Sequence, residues 1–112
     1  MVCGAAYSEE EIKIDGEYKS YTYLGGSGLN YTQDFCGNCG VYLFYRPEMA
    51  EGMICVHVGV FDDQDAFEPK VELFCNDKSK WVGEINCLAE SFTDNGTLQR
   101  LQMMMENIDQ RV

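Results

Sequence analysis

The sequence predicts a mainly β domain of antiparallel strands followed by a C-terminal helix. Eleven glycines against two prolines, with short tyrosine-rich runs, suit strands and turns better than a helical bundle. Apolar and polar residues alternate in short runs from residue 11 to residue 75, each bounded by turn signals. The period then changes: "TLQRLQMMMENIDQRV" (97–112) sets Leu98, Leu101, Met105, Ile108 and Val112 at three-four spacing down one helical face.

Taken in order, "EIKID" (11–15) alternates and reads as a strand, and "YKSYTYLG" (18–25) alternates again. "GGSG" (25–28) is a flexible turn, so "LNYTQDFC" (29–36) is the returning arm of a hairpin. "VYLFYR" (41–46) is the next strand. "MICVHVGVF" (53–61) carries the strongest strand signal because it is rich in β-branched residues, and a "DDQDAFEP" loop follows it. "KVELFC" (70–75) is the last predicted strand, and "TDNG" (93–96) supplies turn and capping residues before the helix. A chain of 112 residues is the size of one compact domain. Residues 1–92 form its β part and 93–112 a helical extension.

A net charge of −11 repels phosphate backbones and anionic membrane surfaces, so neither nucleic acid nor membrane is an expected partner. No stretch has the length of a membrane span, and "MVCGAAYSEEE" lacks the basic start and long apolar run of a signal peptide. The expected compartment is the reducing cytoplasm, where six cysteines are thiols or ligands rather than a disulfide framework.

The stretch "DFCGNCGVYLFYRP" (34–47) is the most specific in the chain. Cys36 and Cys39 flank a tight turn, and the glycines let backbone N–H groups approach sulfur. Two such thiolates are half of a tetrahedral zinc site. A thioredoxin-like redox pair would open a helix; here Gly40 and a strand follow, which favours a zinc knuckle between two strands. Cys36 and Cys39 are the expected metal ligands.

"FCGNCGVYLFYR", then "GMICVHVGVFDD", then "EPKVELFCNDKSKW" resembles the glutathione-dependent formaldehyde-activating enzyme family, which includes centromere protein V. The resemblance runs from about Cys3 to Trp81. It implies the β-tent fold, antiparallel sheets pinned by zinc, and a carbon–sulfur lyase class of activity in which zinc and glutathione handle an aldehyde or related electrophile. Phe35, Cys36, Cys39 and Gly40 match the family's cysteine turn, Gly59, Asp62 and Asp63 its "G..DD" strand end, and Trp81 its tryptophan. "CGAAYS" (3–8) is similar to the start of its second strand. The resemblance also implies an upstream C-x-C and a third, catalytic cysteine. With Met1 three residues before the matched Gly4, these have no counterpart, and the expectation is a degenerate zinc site, partial or empty, with poor turnover of formaldehyde itself. Glu72 stands where the family often has histidine.

Other residues offer chemistry. Cys55 and His57 lie two apart on one strand and so share a face, as metal ligands, as thiolate and base, or as ordinary wall residues. His57 is the only histidine and thus the side chain suited to proton transfer near neutrality. Cys3, beside the place of the family's catalytic metal, is a reactive-thiol candidate. Cys75 and Cys87 read as space-filling, and the Met-rich helix as a packing stripe. Tyr7, Tyr21, Tyr23, Tyr31, Tyr42, Tyr45, Trp81 and His57 are expected to line a cavity, with His57 and Cys3 catalytic and Trp81 and Tyr45 binding glutathione or another small molecule. Two functions fit: a small enzyme acting on an electrophilic or thiol-linked molecule, or a non-catalytic β-tent used for binding or dimerisation. A homodimer is expected, through an open sheet edge or the C-terminal helix.

Overall fold

The computed structural model describes residues 2–26, 28–88 and 90–92. The described chain forms two units, residues 2–64 and the unit from residue 65 onward. The predicted C-terminal helix lies outside the described residues. Among those residues no helix is long and apolar enough to cross a membrane.

The first unit is one antiparallel sheet of five strands: β1 (Gly4–Ser8), β2 (Lys19–Leu24), β3 (Asn30–Phe35), β4 (Tyr42–Pro47) and β5 (Met53–His57), in spatial order β1-β5-β4-β3-β2. The glycine-rich turn does close a hairpin: the Gly25 N–H donates to the Leu29 carbonyl at 2.9 Å, and Tyr21, Thr22 and Tyr23 pair with Gln33, Thr32 and Tyr31. Because side chains alternate along each strand, this register divides the sheet into two chemically different faces.

One face is the core. Phe44, Ile54 and Val56 are buried together, with Tyr7, Ile12, Leu43 and Phe61 packed against them. Tyr18 adds an edge-on ring contact to Phe44 at 5.0 Å. Ile12 and Tyr18 come from the segment joining edge strand β1 to the opposite edge strand β2. This corrects the strand predicted over 11–15: Glu9–Glu11 form a 3₁₀ turn and residues 12–15 join no strand. A segment that passes from one edge of a sheet to the other has no ladder to enter, so its apolar residue acts as an anchor instead. The turn is held by the Ser8 N–H on the Glu11 carboxylate at 3.3 Å and the Glu9 N–H on the Gly52 carbonyl at 2.9 Å.

Towards β2 the same face becomes polar. Asp34 is fully buried and accepts two hydrogen bonds from the Arg46 guanidinium, at 2.8 and 2.9 Å, and one from the Ser20 hydroxyl. Thr22 and Thr32 hydroxyls meet beside them at 2.9 Å.

The second unit holds a short parallel pair, β6 (Val71–Glu72) and β7 (Glu90–Ser91). The strand predicted over 70–75 is thus cut to two residues. Phe74, at φ +53°, is a left-handed non-glycine residue that turns the chain out of extension into the Cys75–Asp77 turn. Glu72 takes Lys78 at 3.3 Å and the Ser91 hydroxyl at 3.0 Å, an acid-centred cluster.

Candidate functional site

The antiparallel order brings one end of each first-unit strand together: the start of β1, the end of β5, the start of β4, the end of β3 and the start of β2. That end of the sheet therefore collects Cys3, His57, the Cys36–Cys39 turn and Lys19. The chemistry singled out along the chain is gathered by topology.

The face opposite the core carries a run of rings across four strands. Tyr21 lies 6.0 Å from Tyr23, Tyr23 5.5 Å from Tyr31, Tyr31 5.2 Å from Tyr45, and Tyr45 5.1 Å from His57. Tyr42 also stacks on His57, at 6.0 Å and 29°. Simple alternation would send Tyr42 to the core face with Phe44. A bulge prevents it: Asp34 pairs with Phe44 but Phe35 with Tyr42, so β4 carries Leu43 as an extra residue. Leu43 packs on the core, and Tyr42 is re-aimed onto the His57 face.

Tyr21, Tyr23, Gln33, Phe35, Gly40 and Tyr42 line an open groove of about 590 Å³ on this face. Five of the predicted tyrosines are on this face, but Tyr7 is not: it packs against the core cluster and Phe61. Trp81 belongs to the second unit, where it is 87% exposed on the Lys80–Val82 turn.

His57 is half-buried, and its Nε2 lies 3.3 Å from the Gln33 amide oxygen. Burial lowers its pKa below the ordinary 6.5, so the ring is neutral at pH 7. With Nε2–H donating to Gln33, the basic lone pair sits on Nδ1. Gln33 was not singled out from the sequence, because nothing short of the strand register places it opposite the histidine.

Cys55 is buried beneath this face beside Tyr45. Burial, and then the neighbouring Cys55, push the Tyr31 and Tyr45 phenols well above their ordinary pKa of 10, so both keep their protons. Cys3, exposed at the start of β1, is close enough to Tyr45 to act on it electrostatically.

Gly4 completes this packing. A Cβ there would lie 2.5 Å from the Tyr45 hydroxyl oxygen and 3.1 Å from two of its ring carbons. The ring has little freedom to yield, being set between Tyr31 and His57. Gly4→Ala is therefore expected to cost about 1–3 kcal/mol, the usual penalty of overpacking. Denaturant unfolding measures it, and an unchanged midpoint would show that Tyr45 is free to move.

The Cys36–Cys39 turn has the form of a metal knuckle. The Cys36 N–H donates to the Val41 carbonyl and the Gly40 N–H to the Cys36 carbonyl, both at 2.9 Å, while the Asn38 N–H points at Cys36 Sγ at 3.4 Å. Gly40, at φ +78°, takes the left-handed conformation that returns the chain into β4. Backbone donors from Cys39 and then Asn38 lower the Cys36 thiol pKa and favour the thiolate, which is the form that binds zinc. Donor type and turn geometry fit zinc, but only as a half-site. Among the described residues no three Cys, His, Asp or Glu side chains stand together as a metal site.

No match to a curated protein was found. The family model described as glutathione-dependent formaldehyde-activating enzyme matches residues 1–77, more than half of the chain, including the knuckle, the groove and His57. The chain belongs to the glutathione-dependent formaldehyde-activating enzyme family.

Proposed function

We propose that this chain is a small enzyme that makes or breaks a carbon–sulfur bond between a thiol of the glutathione type and an aldehyde or related electrophile. The observation that carries this reading is a neutral histidine in contact with two tyrosine rings, one of which, Tyr42, lines an open aromatic groove. Family membership supplies the thiol and the electrophile as substrate classes.

In the forward direction His57 takes the thiol proton at Nδ1, and the sulfur lone pair attacks the carbonyl carbon. The C=O π pair moves to oxygen, which recovers the proton from the imidazolium. The reverse direction breaks the same C–S bond, and nothing is oxidised or reduced. Gln33 holds the histidine tautomer, while Tyr45 and Tyr42 hold its ring. Lys19, across from Phe35 on the groove face, supplies positive charge for a substrate carboxylate. Cys3 stands at the same sheet end as a second thiol able to meet an electrophile. Zinc bound to Cys36 and Cys39 would pin the β3–β4 corner.

The test is exchange between glutathione and a panel of ¹³C-labelled aldehydes, followed by NMR with the full chain. Rates that rise in proportion to protein concentration are expected for at least one aldehyde. Saturable binding with no rate above buffer across the panel would instead make the chain a binding module.

A further inference from the structure

The lining of the groove selects its occupant. Its walls are the rings of Tyr21, Tyr23, Phe35 and Tyr42, with Gly40 and the Gln33 amide, and among the described residues none that lines it carries a charge. Glutathione has a carboxylate at each end. Moving a carboxylate into such a groove strips away its water and offers no cation in return. The net charge of −11 adds repulsion. Lys19 stands across from Phe35, at the margin of the groove rather than in its lining. The charged parts of the thiol partner belong at that margin, and the groove is left to the other reactant.

The size and the rings say what that reactant is. A volume of about 590 Å³ lies within the ~300–1,000 Å³ range of small-molecule sites and is far more than a one-carbon aldehyde fills. Tyr21 and Tyr42 are 65% and 59% exposed, so much ring surface meets water until something covers it. The Tyr21 and Tyr23 rings lie within 26° of parallel, an orientation that a flat guest can match and a puckered one cannot. We propose that the groove binds the ring of a neutral aromatic aldehyde and delivers its carbonyl to His57. Two lining residues make the link: Tyr42 stacks on His57 at 6.0 Å, and the Gln33 amide oxygen lies 3.3 Å from its Nε2. The carbonyl withdraws electrons from the ring that bears it, which strengthens stacking on electron-rich phenols. The thiol then adds to the carbonyl carbon: the C–S bond forms, the S–H proton passes through His57 to oxygen, and the product is an aromatic hemithioacetal. That the guest reacts rests on the carbon–sulfur chemistry proposed above; that it is flat, aromatic and uncharged rests on the groove.

Calorimetric titration of the full chain with naphthylmethanol, an unreactive analogue, separates the two. Saturable binding is expected, about 3- to 10-fold tighter than for decahydronaphthylmethanol, its saturated counterpart, which is the range of one aromatic pair. Glutathione should not displace it. Tyr21→Leu should erase most of the preference, and the variant keeps its core because Tyr21 is largely exposed on edge strand β2. In exchange with glutathione, the acceleration over buffer should be larger for naphthaldehyde than for cyclohexanecarbaldehyde. Absent binding, equal affinity for the two alcohols, displacement by glutathione, or a preference intact in Tyr21→Leu overturns the aromatic site. Naphthylmethanol bound as expected with no aldehyde accelerated upholds the site and overturns the reaction.

Discussion

Replacing Arg46 with methionine is expected to lower the unfolding free energy by about 3–5 kcal/mol, the usual cost of leaving a buried charge without its partner. Asp34 has no exposed surface, and Arg46 supplies two of the three hydrogen bonds described above for its carboxylate. With the guanidinium gone, Ser20 alone faces a charge that water cannot reach. Arg46 is 37% exposed at its side chain, so the converse loss is milder: Asp34→Asn leaves a cation that solvent can reach. The pair Asp34→Asn with Arg46→Met removes the buried charge and should recover much of the loss. Chemical denaturation of the four proteins in this cycle is the measurement. A single Arg46→Met loss below about 1 kcal/mol, the range of an exposed ion pair, would mean that the carboxylate is not the buried charge described here.

His57→Gln is expected to cut turnover by about 10²–10⁴, the usual contribution of a positioned acid or base. Glutamine keeps a polar partner for Gln33 but cannot carry a proton between substrate atoms. The pH dependence separates this role from packing. Only the neutral imidazole acts as base, and burial puts its pKa below 6.5. Turnover should therefore be flat in this group above pH 6.5 and fall on an acidic limb lying below it; in His57→Gln that limb disappears. Stability moves in the same sense. The unfolded chain takes up the proton at its ordinary pKa before the folded one does. The contribution is thus fully present above pH 6.5 and is lost as pH drops through the lower folded pKa. A variant that loses stability yet keeps both its rate and its acidic limb would make His57 a wall residue.

The two outcomes concern opposite faces of one sheet, and the sequence reveals them unequally. Strands β2 to β5 are legible because alternation and β-branched residues report a pleated, half-covered surface from local pattern alone. The cysteine turn is legible for a related reason: C-G-N-C-G is a local geometry, and its hydrogen bonds close within six residues, from Cys36 to Val41. The family follows from the spacing of motifs along the chain and covers residues 1–77.

Tertiary structure alone decided what those elements meet. The segment over 11–15 alternates like a strand, yet it runs from one sheet edge to the other and finds no ladder, so Ile12 became an anchor on the core. The strand over 70–75 stops after two residues because Phe74 turns left-handed, which composition does not announce. Tyr42 reaches His57 only because one extra residue in β4 reverses the alternation, and Tyr7, counted with the site tyrosines from sequence, falls on the core side. The charge pair of Asp34 and Arg46 and the contact of Gln33 with His57 join residues 12 and 24 apart, through a register that no local pattern encodes. Propensity and turn chemistry act within a few residues and can be read along the chain. Which side chain faces which is set by strand pairing, where a shift of one residue exchanges the two faces of the sheet.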